Sequence, residues 1–264
     1  MNIREHLPVV QAPESVWREI ERRLDQPARR RGFSVWRVAL AGALSLCAAG
    51  YWIAQSGWIE TPGPASRIIR VGDIGTVQVF ANTKLKVLKD RPSEHRLRLA
   101  RGRIYAKITA PPLVFFVETR SGTAIDLGCE YALDMNEDGD GLLSVTRGWV
   151  SFQWKGLESL VPAGASCDIR RGTGPGIPWF DDASPAFKEA LSRDELDATL
   201  ADARVRDTLS LWHLIFRVPP EDRARVYDRI AELVRIPPGI SRDRALRLDR
   251  GELERLKDEL AWKW

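Results

Sequence analysis

RIYAKI, residues 103–108, sets Ile104, Ala106 and Ile108 on one side of an extended chain and Arg103, Tyr105 and Lys107 on the other. A two-residue period of this kind marks a strand with one face buried and one in water. The pattern recurs at Val150, Phe152 and Trp154, which alternate with Ser151 and Gln153. Outward from these two stretches, the whole of 67–171 is short, β-branched and broken at close intervals by glycine, with Gly72, Gly75, Gly102, Gly122, Gly128, Gly148 and Gly164 supplying turns and bulges. About ten antiparallel strands at this spacing predict an all-β sandwich or roll.

On the C-terminal side, residues 172–184 read as a linker. Its opening RGTGPGIP, residues 171–178, has alternate glycines, but no strand-loop-helix frame and no Lys-Ser/Thr, so it is a linker and no phosphate loop. From 185 to 264 the period becomes helical: Leu211, Leu214, Ile215 and Val218 form one stripe, Val226, Ile230, Leu233 and Val234 a second, and Leu253, Leu256 and Leu260 a third. Pro219-Pro220 opens a helix, Pro237-Pro238-Gly239 closes it, and Ser241 and Asp249 are N-cap candidates. These signs predict a small all-α domain of about five helices, with Trp179 and Trp212 as packing residues.

On the N-terminal side lies VALAGALSLCAAGYWIAQSGWI, residues 38–59, which holds no charged side chain. As a helix it would reach about 33 Å, enough to cross a hydrocarbon core of about 30 Å. The expectation is a single-pass membrane protein. Tail 1–37 carries Arg4, Arg18, Arg22, Arg23, Arg29, Arg30, Arg31 and Arg37, while Glu60 opens the far flank, so the basic end is expected in the cytoplasm and 60–264 outside. A bacterial inner membrane with a periplasmic exterior follows as the expected location. Trp36, Tyr51, Trp52 and Trp58 suit interfacial belts, and 60–66, ETPGPAS, reads as a spacer lifting the next domain off the membrane. A secretory signal peptide fits less well, because its basic and apolar regions are both shorter. Ala41, Ser45 and Ala49 recur every fourth residue and offer a face for homodimerisation through the span.

Formal net charge is +4 with a pI near 9.1, yet the tail alone accounts for +3 and leaves +1 for everything beyond it. The basicity therefore points to anionic inner-leaflet lipid and gives no argument for nucleic acid. Within the tail, Val16, Trp17, Ile20 and Leu24 share one face of a short amphipathic helix, which either lies on lipid or docks a cytoplasmic partner. Cys129 and Cys167 lie in the expected exterior. There they form either a disulfide, with a stabilisation of roughly 3 to 4 kcal/mol, or two buried thiols.

The β region resembles the FecR domain, a periplasmic sensor module of bacterial single-pass regulators. The resemblance runs in order through Gly72 to Ile74, Asn82-Thr83, Leu97-x-Leu99-x-x-Gly102-x-Ile104-Tyr105, Pro112 with Phe116-Val117-x-Thr119, Leu127-Gly128-Cys129-Glu130-Tyr131, Val145-x-x-Gly148-x-Val150, and Leu160 with Gly164. Cys129 and Tyr131 stand where that family usually has Thr and Phe. The resemblance implies a protein that receives an envelope signal and restrains or activates a cytoplasmic sigma factor through its tail. The tail here is shorter than in the iron-transport regulators, and the chain ends in helices where those carry a small mixed α/β domain. The other reading of the same architecture is an anchored scaffold or binding protein for an envelope protein or a glycan.

No catalytic, cofactor or metal residue is assigned, and no enzymatic activity is expected. His6, His95 and His213 are scattered, and no Gly-x-Ser-x-Gly, His-Glu-x-x-His or Walker pattern occurs. Asp134-x-Asn136-x-Asp138-Gly139-Asp140 starts like a calcium loop, but Val145 occupies the twelfth position where a bidentate Glu is needed, so it reads as a hairpin loop. His213, amid Leu211, Trp212 and Leu214, reads as a partly buried helix histidine.

Overall fold

A computed structural model of the chain describes residues 57–63 and 66–264. Its organising element is β5 (Glu94–Ile108), a 15-residue strand that belongs to two layers at once. The first half pairs antiparallel with β4 (Thr83–Arg91) and parallel with β6 (Phe115–Thr119). The second half pairs with β3 (Gly75–Val79) and β8 (Glu130–Met135). One layer continues from β6 through β7 (Gly122–Asp126) and β10 (Trp149–Trp154) to β11 (Leu157–Pro162), with β1 (Trp58–Thr61) added outside β4. The other continues from β8 through β9 (Gly141–Arg147) to β12 (Ala165–Arg170), with β2 (Arg67–Val71) outside β3. At the far ends the layers meet, β11 lying against β9 and β12, so the sheet rolls almost closed.

The strand changes layers at Gly102, and the reason is local. Gly102 has φ +93, and a Cβ there would stand 2.4 Å from the Cα of Thr83. Only glycine lets the two backbones approach so closely. The Thr83 hydroxyl fills the gap in the ladder: it accepts from Arg103 N (3.0 Å) and lies 3.1 Å from the Arg103 carbonyl, to which it can donate. Two separate elements of the FecR-like pattern, Asn82-Thr83 and Gly102, are thus one joint in space. Gly128 and Gly148 form a second joint, since a Cβ on Gly148 would meet the Gly128 carbonyl oxygen at 2.3 Å.

Alternation places Val77, Leu99, Ile104, Phe115, Leu133 and Phe152 between the layers, all fully buried. Each such side chain contributes about 1.5–3 kcal/mol by leaving water. A second core lies under the helices: α1 (Pro185–Ser192), α2 (Leu196–Asp202), α3 (Thr208–Arg217), α4 (Arg223–Leu233), α5 (Arg242–Leu246) and α6 (Arg250–Leu260). Ser241 and Asp249 do cap α5 and α6, accepting from Arg244 N and Glu252 N.

Trp58–Trp264 forms one compact unit, which revises several boundaries. Residues expected in a free linker at 172–184 instead form β13 (Gly174–Pro175) and β14 (Trp179–Phe180), both paired with β12. The helices are therefore no detached domain. Trp264 packs against both cores and donates from its indole to Thr208 Oγ1 at 3.0 Å. Likewise Trp58 and Ile59, read as the end of the span, and Glu60 and Thr61, read as spacer, are strand β1, because four successive residues find partners along β4. The rest of the expected span and the tail lie outside the described residues. Among the described residues, no helix is long and apolar enough to cross a membrane.

Candidate interaction face

On the outer surface of the layer containing β1, the register places Trp58 opposite Lys86 and Glu60 opposite Lys84. Alternation turns Leu85 inward, fully buried, and leaves the two lysines outward. Their ammonium groups stand 5.3 Å (Lys84) and 5.9 Å (Lys86) from the Trp58 ring centre, within cation–π range. Lys84 also pairs with Glu60 at 2.8 Å, which holds the Glu60 carboxyl below the usual carboxylate range. Arg98 follows on β5, hydrogen-bonded to Glu118 of β6 at 2.7 Å, and Arg101 pairs with Glu137 at 3.2 Å. Between these groups runs an open cleft of about 830 Å³ lined by Trp58, Lys84, Arg98, Arg101, Arg120 and Glu137 among others. The face is amphipathic with mixed charge. It suits recognition of a polar or charged surface and holds no nucleophile-base pair.

Past Trp58 the β4–β5 hairpin keeps going. Pairing continues to Arg91 opposite Glu94, so Val87 to Arg91 project beyond the start of β1. Lys89, Arg91 and Val87 are exposed there. Under the hairpin, His95 is buried against Gly72 and its Nδ1 meets Asp90 Oδ1 at 2.6 Å. Asp90 and this turn explain the histidine structurally.

The docking-helix residues Val16, Trp17, Ile20 and Leu24, and the dimer face at Ala41, Ser45 and Ala49, lie outside the described residues. Cys129 and Cys167 are both free thiols, and the disulfide alternative is corrected. Leu133 of β8 aligns with Leu143 of β9, which aligns with Cys167 of β12. Cys129 is a further four residues back along the chain, about 15 Å from Cys167 by strand spacing, whereas a disulfide needs Cα atoms within about 7 Å. Each thiol has its own partner: Cys129 donates to Asp126 Oδ2 at 2.7 Å and Cys167 to the Gly176 carbonyl at 3.4 Å. Burial pushes Cys167 up to about 12, and burial with the adjacent Asp126 pushes Cys129 up as well. Neither is a poised nucleophile.

Asp126 is buried at the crossing between layers, where it also accepts from Gly128 N at 2.7 Å. Burial raises its pKa to about 6, against the hydrogen bonds from Cys129 and Gly128. In the 134–140 loop, Asn136 Oδ1 turns inward to accept from Gly139 N and Asp140 N, both at 2.9 Å, and Asp140 accepts from Arg171 N at 2.7 Å. The polar groups that suggested a cation loop serve the hairpin turn.

His213 proves central to assembly. It is buried on α3, with Nδ1–H donating to the Leu209 carbonyl (2.8 Å) and Nε2 accepting from Leu160 N of β11 (3.0 Å). Burial lowers its pKa to about 3, so it is neutral. Arg217, one turn on, donates to the carbonyls of Pro175 (3.0 Å) and Glu158 (3.2 Å) and to Ser159 Oγ (3.0 Å). Together they fasten α3 across the open edge of the sheet. The sequence marked His213 only as a helix histidine, and gave no sign of Arg217. The Trp58 face was also missed, although Lys84-Leu85-Lys86 shows the strand alternation that would place both lysines together.

No family model matches the chain, and no curated protein matches it. Two crystal structures of a candidate anti-sigma factor from Parabacteroides distasonis ATCC 8503 are similar in part. One is 15% identical with a TM-score of 0.42, covering 48% of this chain and 60% of that chain. The other is 14% identical with a TM-score of 0.42, covering 55% and 73%. The chain thus spans about 60% of the length of the first, and a likeness of this size assigns no function.

Proposed function

We propose that the chain is a single-pass inner-membrane regulator of FecR type, whose exterior unit receives an envelope signal and whose tail, residues 1–37, passes it to a cytoplasmic partner of the sigma-factor kind. The observation that carries this reading is the start of β1 at Trp58, within the last two residues of the uncharged stretch 38–59. The residues left before it, 38–57, would still reach about 30 Å as a helix. A tether that only positions a scaffold gains nothing from such a short connection. A transducer does, because slack between sensor and span dissipates any displacement. The FecR-like elements add support, since they meet as joints of the fold at Thr83 with Gly102 and at Gly128 with Gly148.

Insertion of ten Gly/Ser residues between Gly57 and Trp58 separates this reading from that of an anchored envelope scaffold. The regulator loses its signal-dependent transcriptional output, whereas a scaffold keeps its function with the insert or with an unrelated anchor. Recovery of no sigma factor or other regulator by residues 1–37 in a pull-down counts against the proposal.

A further inference from the structure

We infer that the overhanging β4–β5 hairpin and Trp58 dock on an anionic phospholipid surface, at the leaflet where the expected span ends. The inference rests on the single-pass reading above and adds a binding face to it. The chain enters β1 at Trp58, opposite Lys86, and the hairpin extends from Val87 to Arg91 past that point, on the side from which the chain arrives. At about 3.3 Å per residue the overhang is about 15 Å. A headgroup layer is only about 5–7 Å deep. Because β1 starts at Trp58, inside the uncharged stretch 38–59, the single-pass reading brings the hairpin onto or into that layer.

Its chemistry fits the place. Val87 and Trp58 provide apolar surface at the level where amphipathic rings and short apolar side chains are favoured. Lys86 and Arg91 provide positive charge around them and form no ion pair among the described residues, while the intervening Asp90 carboxylate is turned to His95. Glu94 is neutralised within the hairpin by Lys89 and Arg96. Each basic side chain brought to an anionic surface contributes about a fivefold preference.

The test uses the full-length protein, with Cys47→Ala and a nitroxide at Ser93→Cys on the hairpin tip, reconstituted into phosphatidylglycerol-containing or pure phosphatidylcholine vesicles. A matched label at Glu221→Cys in the helical part is the reference. The expected result is that the Ser93 label becomes shielded from a water-soluble relaxation agent in anionic vesicles and is released in phosphatidylcholine or high salt, while the Glu221 label is indifferent. Lys86→Glu with Arg91→Glu lowers occupancy of the docked state by about twenty-five-fold or more. Equal shielding in both lipids, or shielding that survives the charge reversal, overturns the proposal while leaving the span intact. Complete extraction of the protein by alkaline carbonate overturns the span, and the docking with it.

Discussion

Asp126→Asn should change the pH dependence of stability in a defined direction. Burial raises the Asp126 carboxyl from 3.8 to about 6, so the folded chain holds a proton there that the unfolded chain releases. The contribution is fully present below about 3.8 and is lost as pH rises through about 6, after which the fold carries a buried charge. At 1.36 kcal/mol per tenfold, the difference between 3.8 and about 6 amounts to about 3 kcal/mol. Asparagine keeps an acceptor for Gly128 N and removes the charge, losing the Cys129 thiol bond at a cost of about 1 kcal/mol. That loss is independent of pH. The variant should therefore be slightly less stable than wild type at pH 4 and more stable at pH 8, with the difference between them changing by about 2.5 kcal/mol across the interval. Urea unfolding followed by tryptophan fluorescence, run on both proteins in the same detergent at several pH values, measures it. A difference that stays constant within about 0.5 kcal/mol from pH 4 to pH 8 refutes the assignment of a buried, titrating Asp126.

Gly102→Ala is expected to destabilise by about 2 kcal/mol or more, because it combines positive φ with a methyl forced onto the Thr83 backbone; a matching loss of urea midpoint checks it. His213→Leu should cost about 1–3 kcal/mol by leaving Leu160 N–H buried without an acceptor, with His213→Gln recovering part of it. Because His213 is held neutral, its imidazole signals should not titrate between pH 5 and 8 in an NMR pH series. Cys129 and Cys167 should stay unreactive to a thiol reagent in the native protein and react on unfolding, and Cys129→Ser with Cys167→Ser should leave mobility on non-reducing gels unchanged.

The β region was legible because period-two burial is a local property: RIYAKI alternates in the structure as it does in the sequence, with Ile104, Ala106 and Ile108 buried. The N-caps Ser241 and Asp249 were legible for the same reason, since a cap bonds a backbone N–H three residues on. What failed were the edges. ETPGPAS and RGTGPGIP have linker composition, yet parts of both segments join strands, because an unpaired edge of β4 or β12 offers backbone partners to any extended neighbour. Composition reports local stiffness, and it does not report whether an open strand lies alongside.

By itself the sequence determined an alternating β region, a helical C-terminal part, and an uncharged stretch long enough to span a bilayer, all written in the spacing of apolar residues along the chain. Only the tertiary structure decided that β5 serves two layers through the Gly102 joint, that the cysteines lie too far apart to bond, and that His213 and Arg217 seal helix to sheet. It also decided that the chain enters the sheet at Trp58, where β1 pairs along β4. These depend on pairing between residues tens of positions apart, which no local period encodes.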